Sequence, residues 1–403
     1  MNNLRFKICA FCLGLTLLGF GLAFAEPQSI PNGPWIEDEQ AVKLERLMSN
    51  EELQKRLFQI YARSKGRMEI DLAGVSTHGL PIYIAKFGEP DPDKIRVLIE
   101  AQIHGGEPLG AEVSLAVIKQ LATSSNRDIL EILDALTIWI VPRLNVEGAT
   151  YEEDGELVQR RRNFQDWTPT EWGLAEGSPA PWYHRSPPRE DPPGYDINRD
   201  SNPDLDFVLG PDSDHLPPGA SDLPGFFVTP EARAMRDAYK ELWPDVFIDI
   251  HHRGTNLISE EDNSMCTLQI LAQVVDEGRE DYPLDPDSLA FSKQINAYVY
   301  QKLQEKGNSP FTGIQRYPHV NLPGTTLGTF SLKGSGIMLY EIRTAKQKSS
   351  GMLIKQTEIG VMETLKGLAD GSVFEVDPDL YDEIPPAGPR IRDPSAAEDD
   401  DIL

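Results

Sequence analysis

The chain has 403 residues, of which 64 are Asp or Glu and 38 are Lys or Arg, so its formal net charge is −26. A charge this negative repels phosphate groups and argues against nucleic acid as a partner. Hydrophobic residues make up 40% of the chain, which is enough for the core of one large domain.

The first 25 residues have the order of a secretory signal peptide. Arg5 and Lys7 precede an apolar run over residues 8–24, and the segment ends in Ala23-Phe24-Ala25. This order predicts cleavage after Ala25 and a secreted or periplasmic protein. An uncleaved membrane anchor is the less favoured alternative, because the apolar run is short for a span. No later stretch is apolar enough to cross a bilayer, so we expect no stable membrane insertion after cleavage.

Cleavage after Ala25 would remove Cys9 and Cys12 and leave Cys266 as the remaining cysteine. The mature protein would then have no intrachain disulfide and would depend on core packing for its stability. It would carry 36 basic against 64 acidic residues, a net charge of −28. The excess of acidic residues either keeps the protein soluble or favours basic substrates, and the net charge by itself does not distinguish these two explanations.

Helix and strand patterns alternate in the first third of the mature chain. Apolar residues recur at helical spacing over residues 39–64, where Ser49 and Glu52 predict a capping box between two short helices. A second helical pattern covers residues 107–121. Strands are predicted at residues 67–73, 81–87, 95–103 and 136–141. Strand, helix and strand in this order predict an α/β sheet.

The second half of the chain begins with irregular sequence. Residues 164–225 contain 12 of the 32 prolines and show no sustained period, so we expect an irregular insertion at 164–193. The acidic tail at 376–403 predicts disorder. Between these segments, helices are predicted at 230–242, 288–305 and 352–368 and strands at 246–250 and 337–341.

A candidate metal site begins with Ile99-Glu100-Ala101-Gln102-Ile103-His104-Gly105-Gly106-Glu107, a buried strand that runs into a glycine turn and a helix. His104 and Glu107 are three residues apart, and the glycines allow the backbone to bend so that both side chains converge on one ion. By itself this is a weak signal, since a turn histidine followed by a helix-capping glutamate gives the same pattern.

A third ligand is offered by Phe247-Ile248-Asp249-Ile250-His251-His252, at the end of another apolar strand. Neighbouring side chains in a strand point to opposite faces, so one of the two histidines reaches the metal, and His251 fits best. A structural histidine is the alternative at either position. His104, Glu107 and His251 together predict a site for one zinc ion with an open fourth position.

This ligand pattern resembles that of the M14-type zinc carboxypeptidases, in which H-x-x-E is followed far downstream by a histidine at a strand end. The resemblance begins at Ala73-Gly74-Val75-Ser76-Thr77-His78-Gly79-Leu80-Pro81-Ile82 and extends to the helix that ends near Gly371. About three hundred residues match in one order, which chance does not plausibly supply. The family implies a single α/β/α domain over residues 26–375, with a twisted mixed β-sheet flanked by helices.

A first arginine of the family site follows a turn. Pro142-Arg143-Leu144-Asn145-Val146-Glu147-Gly148 resembles the family's P-x-x-N-x-D-G and leads to Arg160-Arg161-Arg162-Asn163. The family pattern R-x-N selects Arg161, with a slip to Arg160 as the alternative. By resemblance Arg161 polarises the scissile carbonyl, which suits a permanent charge with several donors. A solvated basic run is the other interpretation.

Gly194-Tyr195-Asp196-Ile197-Asn198-Arg199 is similar to the family's G-x-D-x-N-R. By resemblance, Asn198 and Arg199 bind the free C-terminal carboxylate of a peptide, which Arg can meet with two parallel hydrogen bonds. Asp196 would hydrogen-bond to the metal ligand His104 and fix its tautomer. An ordinary polar turn is the alternative.

Ile337-Met338-Leu339-Tyr340-Glu341-Ile342-Arg343 predicts a buried strand that ends in a carboxylate, and it resembles the family's E-[LI]-R. The family implies that Glu341 is general base and then general acid. A strand-end Glu paired with Arg343 is the alternative. The mobile tyrosine of the family has no clean counterpart here, and both Tyr317 and His319 are candidates.

These resemblances imply a secreted zinc metallocarboxypeptidase, a hydrolase that acts on peptides with a free C-terminal carboxylate. One alternative is a deacylase or cell-wall peptide amidase with the same zinc site. A second alternative is a non-catalytic binding module that has kept the fold, against which the intact Glu341 argues. The sequence predicts neither the preferred terminal residue, nor the natural substrate, nor the oligomeric state.

Overall fold

The computed structural model describes residues 48–153, 156–184, 194–213, 219–262, 264–305, 307–343 and 350–390. The predicted signal peptide and residues 391–403 of the predicted tail lie outside these ranges, as do residues 39–47 of the first predicted helical stretch.

A mixed eight-stranded sheet forms the centre of the fold. Its strands are β1 (Glu69–Val75), β2 (Pro81–Phe87), β3 (Ile95–Ala101), β4 (Leu136–Val141), β7 (Val246–Arg253), β8 (Leu268–Leu271), β9 (Ile314–Arg316) and β10 (Gly336–Arg343). Their order across the sheet is β1-β2-β4-β3-β7-β10-β8-β9. The central strands β4, β3, β7 and β10 are mutually parallel, whereas β1, β2 and β8 pair antiparallel to their inner neighbours. A separate ribbon consists of β5 (Tyr151–Glu153) and β6 (Glu156–Val158).

Helices cover both faces of this sheet. They are α1 (Asn50–Arg63), α2 (Leu109–Thr123), α3 (Arg127–Ala135), α4 (Pro230–Leu242), α5 (Pro286–Gln304), α6 (Thr326–Leu332) and α7 (Ser350–Asp370). Buried side chains of α1, α2, α3, α5 and α7 share one core with the sheet, whereas α4 and α6 share the core on the opposite face. The expected α/β/α arrangement with a mixed sheet is therefore confirmed.

The two strands at the centre, β7 and β10, explain where a site can form. Both are buried along most or all of their length, as expected for parallel strands with helices on both faces. Their apolar runs give way to Asp249, His251 and Glu341 toward the carboxyl ends. Ligand sites of open α/β sheets lie at these strand ends, so the polar residues mark the candidate site.

The predicted capping box at the start of α1 is present. The backbone N–H of Glu52 donates to Oγ of Ser49 over 3.1 Å, and the N–H of Ser49 donates back to the Glu52 carboxylate over 3.3 Å. Leu53 and Leu57 then anchor the helix in the core. The reciprocal bonds satisfy N–H groups that the first turn of a helix leaves without partners.

The expectation of disorder from residue 376 onward is wrong for residues 376–390. Pro378–Glu383 forms a 3-10 helix, and the side chains of Tyr381 and Ile384 are buried. The N–H groups of Arg316 and Leu257 donate to the carbonyls of this segment. Acidic composition predicted disorder, but a few apolar anchors and backbone hydrogen bonds to distant segments outweigh it.

Two further observations concern the predicted insertion and the possibility of a membrane span. In the described part of the predicted insertion, residues 164–184, the regular structure is one 3-10 helix at Pro169–Trp172. Within the described ranges, we find no helix that combines the length and the apolarity needed to span a bilayer.

Candidate active site

The loop between β3 and α2 carries the first two predicted ligands, and Gly105 explains its path. A Cβ on Gly105 would lie 2.1 Å from the carbonyl carbon of Gly148 and 2.4 Å from the carbonyl oxygen of Arg160. Only glycine allows so close an approach. The loop therefore packs directly against the turn and the arginine run that follow β4. Gly106 has no such neighbour, so the constraint belongs to Gly105.

His104, Glu107 and His251 converge at the carboxyl ends of β3 and β7, and one ligand atom of each lies within 4.8 Å of the other two. Nδ1 of His104 is 2.8 Å from Oε1 of Glu107, and Nδ1 of His251 is 3.0 Å from Oε2 of the same carboxylate. The two Nδ1 atoms are 3.2 Å apart. Two imidazole nitrogens and one carboxylate thus face one point, which is a donor set of catalytic zinc sites.

Each imidazole has an aspartate beside its other nitrogen. Oδ2 of Asp249 is 2.7 Å from Nε2 of His251, and Oδ1 of Asp196 is 3.3 Å from Nε2 of His104. A carboxylate at Nε2 favours the tautomer that keeps its proton there, so Nδ1 of each ring presents a lone pair. The residues present therefore fit zinc held by His104, Glu107 and His251.

The charge state of Glu107 also suits a metal ligand. Burial would raise the pKa of this carboxyl, but its electrostatic and hydrogen-bond interactions with the imidazoles of His104 and His251 outweigh burial and hold its pKa well below the ordinary value. The group is an anion at neutral pH. A carboxylate that stays ionised in a buried site can bind a cation without first losing a proton.

His252 points away from this cluster. Its Nε2 accepts a hydrogen bond from the backbone N–H of Leu109, at the start of α2, over 2.9 Å. Burial lowers the pKa of His252 to about 4, so the ring is neutral at physiological pH. Strand alternation thus separates His251 from His252 as the sequence predicted.

Arg161 is the arginine of the basic run that reaches the cluster. Its NH1 is 3.3 Å from Nδ1 of His104, and its Nε donates to Oδ2 of Asp196 over 2.9 Å. Arg160 instead places its guanidinium carbon 4.5 Å from the centroid of the Tyr151 ring. The geometry therefore favours the R-x-N assignment over the one-residue slip.

The turn before the arginine run positions Arg161 through its backbone. Oδ1 of Asn145 accepts from the N–H of Gly148 over 2.8 Å, which closes the turn. Nδ2 of Asn145 donates to the carbonyl of Arg161 over 3.1 Å. One asparagine side chain therefore ties the turn to the segment that enters the site.

Asn198 and Arg199 lie on a single 3-10 turn, Ile197–Arg199, in which all three residues are buried. Nδ2 of Asn198 is 3.5 Å from Nε2 of His251. The guanidinium carbon of Arg199 lies 6.0 Å from the centroid of the Trp182 ring, which belongs to the irregular insertion. Burial lowers the pKa of Arg199 to about 10, so the group is still a cation at neutral pH.

Asp200, which the motif does not mark, fixes this turn. Its carboxylate accepts from the N–H and the hydroxyl of Thr229, both over 2.7 Å, and from the N–H of Val228 over 3.0 Å. The hydroxyl of Tyr183 donates to it over 2.7 Å. These partners are 17 to 29 residues away, so no local sequence signal distinguishes Asp200 from a surface acid.

Glu341 stands beside His251, its partner in the parallel pairing of β10 with β7. Its side chain is buried, and its Oε2 accepts no hydrogen bond from any residue that the structure describes. Burial raises the pKa of Glu341 to about 8; the nearby His251 acts to lower this pKa, and the negative charge of Glu107 acts to raise it. A carboxylate with a raised pKa and an unused oxygen beside a metal cluster is suited to accept a proton. NH1 of Arg343 donates to Sδ of Met265, not to Glu341.

Of the two candidates for the family's mobile tyrosine, Tyr317 lies in the site. Its ring packs against Arg253, whose guanidinium carbon is 4.3 Å from the ring centroid. Burial and the negative charge of Glu341 both raise the pKa of Tyr317. His319 is 68% exposed and forms an ion-pair contact with Asp276 over 2.7 Å. Of the two candidates, Tyr317 is therefore the one that interacts electrostatically with Glu341.

Arg143 braces the metal-binding loop from behind. Its Nε donates to Oε1 of Gln102 over 2.8 Å, and Nε2 of Gln102 donates to the carbonyl of Gly105 over 2.9 Å. The other guanidinium nitrogens donate to Oδ1 of Asn50 and to the carbonyl of Met48. Gln102 adopts φ +53°, an uncommon value for a residue other than glycine. The brace holds this strained residue next to His104.

We expect Arg143→Met to lower the free energy of unfolding by roughly 2–4 kcal/mol, because two buried acceptors and one partly buried acceptor lose their donor. Zinc affinity should fall as well, since the loop of His104 loses its support. Denaturant unfolding and zinc titration measure the two effects. Arg127→Met, on an 87% exposed side chain of α3, is the matched control and should change neither. Unchanged stability of Arg143→Met would contradict the brace.

Glu231 is a buried carboxyl next to the arginine run. Its Oε2 accepts from Nδ2 of Asn163 over 3.0 Å, and burial raises its pKa from the ordinary 4.5 to about 7. Because the folded pKa is the higher one, the contribution of Glu231 to stability is complete below pH 4.5. This contribution is lost as pH rises through 7.

Glu231→Gln should therefore be more stable than the parent protein above pH 7, by at most about 3 kcal/mol for a pKa difference of about 2.5. The advantage should disappear toward pH 4.5. Thermal unfolding across this pH range measures it. Glu241→Gln, an exposed glutamate of the same helix, should show no such pH-dependent gain. A constant difference between parent and Glu231→Gln at every pH would rule the mechanism out.

Comparison with known proteins agrees with this geometry. A family model described as zinc carboxypeptidase, peptidase family M14, matches residues 54–362. A carboxypeptidase E of Caenorhabditis elegans is 28% identical over 143 residues, which cover 34% of this chain and 25% of that protein. A zinc carboxypeptidase of Saccharothrix mutabilis subsp. capreolus is 28% identical over 104 residues, 24% of each chain. The alignments thus span about a quarter of the length of these relatives.

Solved structures show the same fold. Bovine thrombin-activatable fibrinolysis inhibitor, in complex with a tick carboxypeptidase inhibitor, has a TM-score of 0.54 and 16% identity, with coverage of 81% of this chain and 99% of that one. Carboxypeptidase A of Helicoverpa armigera has a TM-score of 0.55 and 15% identity, with coverage of 86% and 78%. At these identities the likeness is one of fold alone. Because the family model covers more than half of its length, the chain belongs to the zinc carboxypeptidase family.

Proposed function

We propose that this protein removes the C-terminal residue from peptides by hydrolysis that depends on one zinc ion bound by His104, Glu107 and His251. The observation that carries the proposal is the buried Glu341 carboxylate in register with His251, with one oxygen that accepts no hydrogen bond within the described ranges. A base in that position could accept a proton from a water molecule at the metal cluster. The names of the curated relatives support the same reaction.

Proton transfer and stabilisation of the developing negative charge are assigned to different side chains. When bound, zinc supplies Lewis acidity and lowers the pKa of a neighbouring water. Glu341 then accepts a proton from that water as general base and returns it to the leaving amine as general acid. Arg161 donates hydrogen bonds to the oxygen of the scissile carbonyl as negative charge develops there.

Arg199 and Asn198 are the proposed anchor for the free carboxylate of the substrate. Arg199 remains cationic, and its guanidinium can meet a carboxylate with two parallel hydrogen bonds. The amide of Asn198 adds a donor next to His251. Because Asn198 lies next to His251, and His251 is in register with Glu341, a carboxylate bound there would place the last peptide bond, and not an internal one, beside Glu341.

Pairs of peptides that differ only in a free or an amidated C-terminus test the proposal. We expect the free acid to be cleaved at least about 100-fold faster in kcat/KM, because amidation removes the negative charge of the substrate that Arg199 would bind. Equal cleavage of both forms would instead favour the deacylase or cell-wall amidase. Purified protein without zinc and without any hydrolysis would favour the non-catalytic binding module.

Arg199→Gln should lose most of this discrimination. The variant keeps a donor but no charge, so kcat/KM for the free acid should fall by roughly 100-fold or more while the slow cleavage of the amide changes little. Steady-state kinetics on the same peptide pair measure the ratio. Arg236→Gln is the matched control, because it makes the same change at a partly buried arginine of α4 whose guanidinium carbon lies 5.2 Å from the centroid of the Phe227 ring. If Arg199→Gln keeps the full preference for the free acid, the anchor is assigned wrongly.

We also propose that the protein is exported after cleavage behind Ala25. The support is the charge and apolar order of residues 1–25, which lie outside the described ranges. Expression in a host with an intact secretion pathway, followed by N-terminal sequencing, tests this. Glu26 as the first residue of the exported protein is the expected result, and an intact Met1 in a membrane fraction contradicts it.

A further inference from the structure

Arg253 is a partly buried cation at the end of β7, two residues after His251 and on the same face of the strand. Two contacts hold its guanidinium. NH1 donates to Oε1 of Gln269 over 3.0 Å, and the guanidinium carbon lies 4.3 Å from the centroid of the Tyr317 ring. Among the residues that the structure describes, no carboxylate forms an ion pair with it. The charge of Arg253 therefore faces a ring and an amide.

These contacts place Arg253 across the strand of the candidate base. Glu341 on β10 pairs with His251 of β7 on one side and with Gln269 of β8 on the other. Paired residues of a sheet project to the same face, so the three side chains form one row. Because β10 lies between β7 and β8, the hydrogen bond from Arg253 to Gln269 crosses the strand that carries Glu341.

Tyr317 is held at its backbone as well as at its ring. Its N–H donates to the carbonyl of Ile270 in β8 over 2.9 Å, and the residue is 6% exposed. A cation is attracted to the face of an aromatic ring, and more strongly where water is excluded. The family resemblance implies a tyrosine that moves. Tyr317 instead has the contacts of a side chain that is fixed before any substrate binds.

The hydroxyl of Tyr317 lies among the residues to which the reaction is assigned. Glu341, Arg161 and Arg199 each act on it electrostatically, and Tyr317 acts in turn on both arginines. Burial, and then the negative charge of Glu341, raise the pKa of Tyr317, so the hydroxyl keeps its proton at neutral pH. A protonated hydroxyl between the base and the two arginines is a donor for the last peptide unit of a substrate.

We propose that Arg253 is a positioning residue of this site: it holds the Tyr317 ring in place so that the hydroxyl donates a hydrogen bond to the bound substrate without a prior movement. A donor that is already fixed costs less entropy to order when the substrate binds. The kinetic consequences rest on the carboxypeptidase function proposed above, whereas the contact between the two side chains does not. Arg253 acts through Tyr317, so its effect on the reaction should vanish when the hydroxyl is removed.

A double-mutant cycle with the zinc-loaded full chain tests this dependence. Arg253→Met removes the charge and the donors, and Tyr317→Phe removes the hydroxyl but keeps the ring. Each should lower kcat/KM for a peptide with a free C-terminus by roughly tenfold, and the double variant should match Tyr317→Phe within about twofold. Effects that multiply to roughly 100-fold in the double variant, or no loss in Arg253→Met, would overturn the proposal.

Further variants separate positioning from folding. Arg253→Lys keeps a cation near the ring and should stay within about threefold of the parent kcat/KM. Arg316→Met is the matched control, because Arg316 precedes Tyr317 but contacts Asp382 and the ring of Tyr381. It should keep the parental kcat/KM, and a loss equal to that of Arg253→Met would contradict the assignment. If Arg253→Met does not fold, Arg253→Gln takes its place in the cycle.

Fluorine NMR tests the contact without hydrolysis. Fluorotyrosine is incorporated at the position of Tyr317 alone, and its signal is compared between the parent chain, Arg253→Met and Arg316→Met. The signal should move toward that of the free amino acid in Arg253→Met and stay in place in Arg316→Met. An identical signal with and without Arg253 would overturn the proposal, whether or not the protein cleaves peptides. A signal that moves in a protein without hydrolysis would refute the proposed function alone.

Discussion

Glu341→Gln is expected to lower kcat/KM for a peptide with a free C-terminus by about 10³- to 10⁴-fold. Glutamine has the size of glutamate but cannot accept the proton of water, so the loss isolates proton transfer. The carboxylate sits in register with His251, and one of its oxygens has no hydrogen-bond partner among the described residues, which makes it the described base best placed for the reaction. Steady-state kinetics of the zinc-loaded variant measure the loss.

The zinc content and the unfolding midpoint of Glu341→Gln show whether its loss of activity comes from catalysis or from a damaged structure. Both should match the parent protein, because Glu341 is not among the three converging ligand residues. Glu231→Gln makes the same change at a buried carboxyl away from the cluster and should keep its activity at neutral pH. More than about a tenth of parental activity in Glu341→Gln would assign the base elsewhere.

His251→Ala is expected to weaken zinc binding by more than about 1,000-fold and to abolish hydrolysis. The substitution removes one of three ligands, and it also leaves the buried carboxylate of Asp249 without its 2.7 Å imidazole partner. Equilibrium dialysis against a zinc buffer measures the affinity. Removal of zinc from the parent protein with a chelator should give the same loss of activity, and added zinc should restore it.

His252→Gln is the matched control for the metal site. His252 is the next residue of the same strand, but its ring accepts a hydrogen bond from Leu109 on the opposite face. Glutamine offers an acceptor oxygen there, so stability should fall by no more than about 1 kcal/mol and zinc should bind as in the parent. Loss of zinc in His252→Gln, with retention in His251→Ala, would reverse the assignment of the third ligand.

Periodicity predicted the long elements of the fold well. The strands at 81–87 and 136–141 and the helix at 230–242 were predicted with the bounds that the structure has. Helix α4 illustrates why, since Thr229 caps it, Pro230 opens it and one face is buried. Strong local signals and a continuous buried stripe agree in such elements, so tertiary contacts only confirm what the local sequence favours.

Other elements depend on contacts that no local pattern contains. Helix α6 has only seven residues, rich in Thr, Gly and Ser, and it forms with Thr325 as its cap over a buried face. Strands β8 and β9 have four and three residues and exist as strands because β10 supplies hydrogen-bond partners to β8, and β8 to β9. Helix α3 was not predicted either, although Asn126 caps it and Ile129 and Ile132 bury one face.

The chemistry at the strand ends follows from local sequence. H-x-x-E after one apolar strand is a weak signal by itself, but it predicts a zinc site together with the alternation that separates His251 from His252 and the family-like motifs around them. Ligand type and strand period are local properties, so the sequence alone contains them. Asp249 was within reach of the same reasoning, since it lies two residues before His251 and therefore on its face.

The surroundings of that site depend on how the sheet and the loops assemble. Glu100 and Asp249 face each other because β3 lies next to β7 in the sheet, and Trp182 reaches Arg199 because an irregular segment folds back over the turn. Strand order and loop path bring together residues far apart in the chain, and the free energy that fixes them comes from burial over the whole domain. The ligands could therefore be predicted from motifs, whereas the pairing of Glu100 with Asp249 became visible only in the assembled sheet.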